Sequence, residues 1–187
     1  TINSGKTLYT AFIDFSKAFD YVVRDNLWFK LLKLGITGNM LTILKSMYSS
    51  VKSKVFYQGS KSDVFDNTLG VRQGDCLSPF LFAMYINDVE HSLAQCNTGI
   101  TFGDFKIVTL LYADDVILLS ESADGLQRGL NCLHEFCKTW RLKLNVNKSK
   151  IVIFKKGRRR RHECWTYGDS ELEISSEMPY LGLMFSC

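Results

Sequence analysis

Residues 110–119 read LLYADDVILL: two adjacent carboxylates, Asp114 and Asp115, with a short apolar run on either side. The runs are too brief for a helix and rich in strand-forming residues, so they read as two strands with the acidic pair in the turn between them. Working outward, residues 100–120 read as strand, turn at Gly103-Asp104, strand, acidic turn, strand. Upstream, residues 7–15, LYTAFIDFS, form another apolar and aromatic run, a buried strand that ends near Asp14. Like charges at the mouth of a core repel one another and lose hydration, and a divalent cation is a natural compensator. Aspartate is also common in turns, where it hydrogen-bonds its own backbone, so the pair by itself leaves both readings open.

Elsewhere the pattern alternates between helices and hairpins. From Asp25, a plausible N-cap, Leu27, Trp28, Leu31, Leu32 and Leu34 recur at helical spacing until Gly35. A second helix carries Met40, Leu41, Leu44, Met47 and Tyr48 on one face. Residues 52–57 and 63–69 read as a hairpin around Gly59 and Ser60. Ser78 as N-cap and Pro79 at the first helical position start a helix that is expected to run to about Leu93, with Phe80, Leu81, Met84 and Tyr85 as its apolar positions. Between Asp124 and Trp140, Leu126, Leu130, Leu133, Cys137 and Trp140 step by four and three, the signature of an amphipathic helix. Short strands fill the rest, at 150–154, 172–175 and 179–185. This order implies an α+β fold, an antiparallel sheet backed by helices, within one domain spanning residues 1–187.

Composition narrows the function classes. At 46% hydrophobic and 22% charged residues the chain suits a globular core, and no run approaches the roughly 20 apolar residues that cross a bilayer. An intracellular protein with no membrane partner is therefore expected. Cys76, Cys96, Cys132, Cys137, Cys164 and Cys187 show no CxxC pairing and read as reduced thiols. His91, His134 and His162 with Cys137 and Cys164 match no zinc spacing. Net charge is +4, with Lys143, Lys148, Lys150, Lys155, Lys156 and Arg158 to Arg161 close together, a cluster suited to a polyanion but equally to a solvated loop.

Antiparallel strands can bring Asp14 beside Asp114 across 100 intervening positions. Three carboxylates can hold two hard cations, the recurrent device for in-line phosphoryl displacement, and oxygen-only ligands favour magnesium or manganese.

These segments carry a family resemblance. AFIDFSKAFDYV (11–22), GVRQGDCLSPFLF (70–82) and LLYADDVILL (110–119) resemble the three catalytic motifs of retroelement reverse transcriptases, and LKLNVNKSKIVIF (142–154) and YLGLMF (180–185) are similar to the two later ones. Five motifs stand in family order. The wording FIDFSKAFD, GVRQGDCLSP and YADD is closest to non-LTR (LINE-like) retrotransposons, although group II intron enzymes share much of it.

The resemblance implies a polymerase palm with primer-grip hairpins at about 150–187. It implies an RNA-directed DNA polymerase with two Mg2+ ions (Mn2+ as a substitute) on Asp14, Asp114 and Asp115, with a backbone carbonyl of Ile13 or Phe15 added. Phe19 falls at the steric-gate position that excludes a ribose 2'-hydroxyl; a core aromatic is the alternative. Gln73 and Gly74 match the template- and nucleotide-facing loop, with Arg72 a candidate phosphate contact. Lys148 matches a lysine that protonates departing pyrophosphate, against the alternative of a solvated lysine. Tyr112 is expected near the primer end or in the core, and Tyr180 and Leu181 in the primer grip.

The implied partners are RNA template, DNA primer, dNTPs and the rest of the polymerase: fingers, thumb and an endonuclease, expected outside this chain. Nucleus and cytoplasm are the implied locations, as a ribonucleoprotein. Cys76 departs from the family's usual proline, between an intact Gly-Asp and Leu-Ser-Pro. Rival readings are a remnant that binds nucleic acid without polymerising, and a two-metal nuclease, for which Gln73, Gly74 and Phe19 have no role.

Overall fold

The computed structural model describes residues 7–155 and 163–186. In chain order its elements are β1 (Leu8–Asp14), α1 (Arg24–Lys33), α2 (Gly38–Tyr48), four short strands β2 (Lys52–Ser53), β3 (Phe56–Tyr57), β4 (Ser60–Lys61) and β5 (Phe65–Asp66), then α3 (Ser78–Ile86) and α4 (Val89–Ala94). There follow β6 (Ile100–Phe102), β7 (Phe105–Ile107), β8 (Thr109–Tyr112), β9 (Asp115–Ser120), α5 (Ala123–Trp140), β10 (Lys150–Phe154), β11 (Trp165–Tyr167), β12 (Ser170–Ser175), β13 (Glu177–Tyr180) and β14 (Leu183–Ser186). Where one domain was expected, the contacts divide into two compact units. One holds the residues up to Ala18 and those from Asn87 on, the other Phe19–Ile86.

The first unit is built on a six-stranded sheet of order β11-β12-β10-β1-β9-β8. Its pairs are antiparallel, as expected, except that β10 and β12 run parallel. β1 lies inside the sheet between β10 and β9, so Ala11, Phe12 and Ile13 are all buried, and the continuous apolar run replaces strict alternation. On one face Phe12, Ile117, Leu119 and Val152 form a cluster that Met178 and Tyr180 cover. Helix α5 packs on β1, β9 and β11. Of the expected stripe, Leu126, Leu130, Leu133 and Cys137 are buried, each large side chain contributing about 1.5–3 kcal/mol of transfer free energy, while Trp140 at its end is only half-buried. Ser122 caps its start by accepting the Gly125 N–H, and Arg141 in left-handed conformation closes its end.

The second unit packs α1 against α2 and α3. Leu27, Trp28 and Leu31 of α1 and Leu41, Leu44 and Tyr48 of α2 are buried, whereas Leu32, Leu34, Met40 and Met47 are exposed, so both apolar faces are narrower than the spacing predicts. Asp25 lies in the first turn of α1, not at its N-cap, which is Val23. The 52–69 hairpin forms as two nested pairs, β2–β5 and β3–β4, with Gln58 and Gly59 at the tip, one residue earlier than expected.

Four further expectations are corrected. The helix from Ser78 breaks at Asn87-Asp88 into α3 and α4, at two residues of low intrinsic helix propensity. Ser78 does not cap it: its Oγ is buried without a partner, and the Asp75 carboxylate accepts the Leu77 N–H instead. Phe80 is exposed while Phe82 and Ile86 are buried. Cys96 and Cys132 are joined as a disulfide where reduced thiols were expected, since the fold brings the end of α4 against α5. Cys76, Cys137 and Cys164 are free, and Cys187 and His162 lie outside the described residues.

Candidate active site

The acidic hairpin turns one residue earlier than expected. Ala113 takes the left-handed conformation (φ 53°), Asp114 follows it in the turn, and Asp115 is already the first residue of β9, opposite Tyr112. The antiparallel β1–β9 register then sets Asp14 directly across from Asp115, not Asp114. All three carboxylates are half-buried. Burial raises the pKa of Asp115 above the ordinary carboxylate value, and the charges of Asp114 and Asp14 add to the rise. The Tyr180 hydroxyl is also pushed up, by burial first and then by the Asp115 charge, and its side chain shares a cleft with Asp14 and Asp115.

Main-chain bonds past the end of β1 fix where Asp14 stands. Its carbonyl accepts the Asn145 N–H (2.8 Å) and its N–H donates to Ser149 Oγ (3.1 Å). Phe15 bridges Leu144, and the Ser16 N–H donates to the Lys143 carbonyl. Ile13 lies within the β1–β9 ladder. The result is a cleft of about 410 Å3 lined by Asp14, Asp115, Asn147, Lys148, Tyr180 and Leu181 among others. Lys148 therefore shares a cavity with the carboxylates, and Lys150 beside it is paired with Glu173. Tyr112 is 62% exposed, which removes the core-packing alternative. Lys156 and Arg158 to Arg161 of the basic cluster lie outside the described residues.

The remaining predicted residues belong to the second unit. The Phe19 ring stacks on Phe82 at 5.1 Å and is half-buried, a supported ring with one part open. Its carbonyl accepts the Val71 N–H, and the Gly70 N–H donates to Val22. Gly70 is required there: its φ is +76°, and a Cβ would meet the Phe19 and Asp20 carbonyl oxygens at 2.8 and 2.9 Å. Three residues on, Gln73 Nε2 donates to Asp20 Oδ1 (2.8 Å). Arg72 donates to the Met47 carbonyl and lies over the Tyr48 ring, so in this structure it ties the loop to α2. Arg24 holds the same loop through the Leu69 and Gly70 carbonyls. Gly74 has open space around it.

Asp20, Asn145 and Ser149 escaped the sequence reading. The available signal was their place inside motif-like strings, AFD and NVNKS, without an apolar role.

The donor set near Asp14 is oxygen, suited to a hard divalent cation, and the Asp115 carboxyl, raised by burial first and by the Asp114 and Asp14 charges second, is a group such a cation would help to keep ionised. Among the described residues no three acidic, histidine or cysteine side chains already converge in a metal-holding arrangement.

The family model for reverse transcriptase (RNA-dependent DNA polymerase) matches residues 2–185. The chain belongs to the reverse transcriptase family. Divalent-metal use is general to that family. Among curated relatives, the Pol polyprotein of a type-1 R2 retrotransposable element from Nasonia vitripennis is 30% identical over 97% of the chain. The RNA-directed DNA polymerase of the mobile element jockey from Drosophila funebris is 30% identical over 94%. The reverse transcriptase chain spans 18% and 19% of those two relatives. In fold it is similar to an apo telomerase from Candida tropicalis, TM-score 0.66 at 17% identity, covering 97% of this chain and 34% of that one. A second telomerase structure from that organism, in complex with a fragment of telomeric RNA, matches with TM-score 0.62 at 14% identity.

Proposed function

We propose that this chain is the catalytic palm of a non-LTR retrotransposon polymerase, which extends a DNA primer with dNTPs on an RNA template. The observation that carries the reading is the register of Asp14 against Asp115, with Asp114 beside them in the turn, inside a chain of this family. The relatedness to R2 and jockey polymerases supports the non-LTR assignment. The fold shared with an RNA-bound telomerase supports an RNA template.

Asp14, Asp114 and Asp115 would hold the metal, Mg2+ by preference for an all-oxygen set, with the Ile13 or Phe15 carbonyl as a further donor. When bound, two such ions lower the pKa of the attacking primer 3'-hydroxyl and stabilise charge on the α-phosphate as pyrophosphate departs. Lys148, in the same cleft, donates a proton to that leaving group. Phe19, backed by Phe82, fills the space a 2'-hydroxyl needs. The Gln73 carboxamide, steadied by Asp20, faces the base pair, while Gly74 lets the backbone come close. Tyr112, exposed beside Asp115, and the β13–β14 hairpin bearing Tyr180 and Leu181 contact the primer end. Fingers, thumb and endonuclease would be supplied by the rest of the polypeptide, acting in nucleus and cytoplasm as a ribonucleoprotein.

The test is extension of oligo(dT) on poly(rA) with dTTP and Mg2+ by the full-length polypeptide and its Asp114→Asn variant. Synthesis lost in the variant supports the reading. Synthesis that survives it, or RNA binding without synthesis in both, overturns it.

A further inference from the structure

Ser149 stands at the point where a strand leaves the sheet. In the β1–β10 register Phe12 faces Lys150, so two residues further along β1 the partner of Asp14 would be Lys148. The pairing instead stops at Lys150, and residues 145–149 turn away. A backbone N–H abandoned in this way at a buried strand end lacks an acceptor. Here the acceptor is the Ser149 hydroxyl: Asp14 N–H donates to its Oγ (3.1 Å) while its own O–H donates to the Asn145 carbonyl (2.8 Å). The same Asn145 carbonyl receives the Ser149 and Lys148 N–H groups, and the Asn145 N–H returns to the Asp14 carbonyl. Ser149 is 0% exposed, so water does not substitute for it. One hydroxyl thus closes a ring of bonds through Asp14, Asn145 and Lys148, and both Asp14 and Lys148 line one cleft.

We infer that Ser149 is a positioning residue: its hydroxyl clasps the Lys148 turn to the backbone of Asp14 and so sets the lysine's place relative to the acidic pair. The inference rests on the polymerase reading for its catalytic consequence, and on hydrogen-bond geometry alone for the clasp. A serine was chosen by the fold at a site where alanine would fill the volume, because the volume is not what the site needs.

The experiment measures single-nucleotide incorporation by the full-length polypeptide, with Ser149→Ala, Ser149→Thr and Lys148→Ala variants and the Ser149→Ala/Lys148→Ala double variant. A proton donor moved by about 1 Å loses on the order of 10- to 100-fold in rate, so Ser149→Ala is expected to lower the maximal rate by about that factor with the dNTP concentration dependence nearly unchanged. Ser149→Thr, which keeps the hydroxyl, is expected to recover most of the loss. If Ser149 acts through Lys148, Ser149→Ala costs less than about 2-fold further in the Lys148→Ala background, the coupling a double-mutant cycle reports. A full loss in both backgrounds, or no loss in Ser149→Ala, overturns the inference.

Amide hydrogen exchange provides a measurement independent of turnover: the Asp14 N–H is expected to exchange faster in Ser149→Ala and at the wild-type rate in Ser149→Thr. Unchanged exchange in Ser149→Ala refutes the clasp. A wild-type protein that extends no primer while showing this exchange pattern would overturn the polymerase reading and leave the clasp standing.

Discussion

Gly70→Ala separates two ways in which a glycine can be required. At Gly70 the backbone is left-handed, φ +76°, which costs a residue with a Cβ about 1–2 kcal/mol. The added carbon would also lie 2.8 and 2.9 Å from the carbonyl oxygens of Phe19 and Asp20, which are backbone atoms and cannot rotate aside. The loop must therefore lift, weakening the Gly70 N–H bond to Val22 and the Val71 N–H bond to Phe19, each contributing about 1 kcal/mol net. The expected destabilisation is about 3–4 kcal/mol, a large share of the roughly 5–15 kcal/mol that holds a typical domain together. Gly74 provides the control: its φ is +82° with nothing near the added carbon, so Gly74→Ala retains the conformational cost of about 1–2 kcal/mol and no clash. Urea unfolding followed by the fluorescence of Trp28, buried in the same unit, measures both variants. Equal losses for the two variants, or a Gly70→Ala loss under about 1 kcal/mol, would refute the reasoning that the 70–73 loop is docked on residues 19–22.

Other predictions follow from the site and the core. Asp115→Asn is expected to abolish extension by at least about 100-fold and yet raise the melting temperature of the metal-free protein at neutral pH. A carboxyl whose folded pKa is raised contributes stability at low pH and loses it as pH rises through the folded value, so removing its charge helps the apo fold; a lower melting temperature would contradict this. Added Mg2+ is expected to raise the wild-type melting temperature more than that of Asp115→Asn, read by thermal shift. Burial pushes the Cys137 thiol up to about 11, so a thiol reagent at pH 8 should modify exposed Cys76 and Cys164 in the native protein and reach Cys137 on unfolding, as mass spectrometry would show. Leu130→Ala, at 0% exposure on α5, is expected to cost about 2.7–5 kcal/mol in urea unfolding.

The strands that make the site were legible because burial on both faces leaves a continuous apolar signature, as at 8–14 and 115–120, and α5 because its stripe is long. The pairing partner of Asp14 was misjudged by one residue. The turn is made at Ala113 in left-handed conformation, and alanine carries no sequence signal for that geometry. The Cys96–Cys132 disulfide was invisible for a different reason: its 36-residue separation encodes no distance until α4 lies against α5. Asp20 and Ser149 act through hydrogen bonds to a side chain 53 and a backbone 135 positions away, which no local pattern reports. The division into two units was hidden because the chain crosses between them without glycine, proline or low-complexity linkers.

The position of β1 inside the sheet has a consequence for how the protein comes into being. Its neighbours are β9 and β10, and Thr10 bonds Val152 across 142 positions. A strand whose partners are so remote must wait for them: closing such long loops is slow, and little is gained until the last contact forms. As the chain leaves the ribosome, Asp14 meets Asp115 only after a hundred more residues have followed it. Its clasp at Ser149 comes later still. A product released before Ser149 is made thus carries an unassembled acidic site, because the strand that holds Asp14 and the turn that clasps it are made far apart in time.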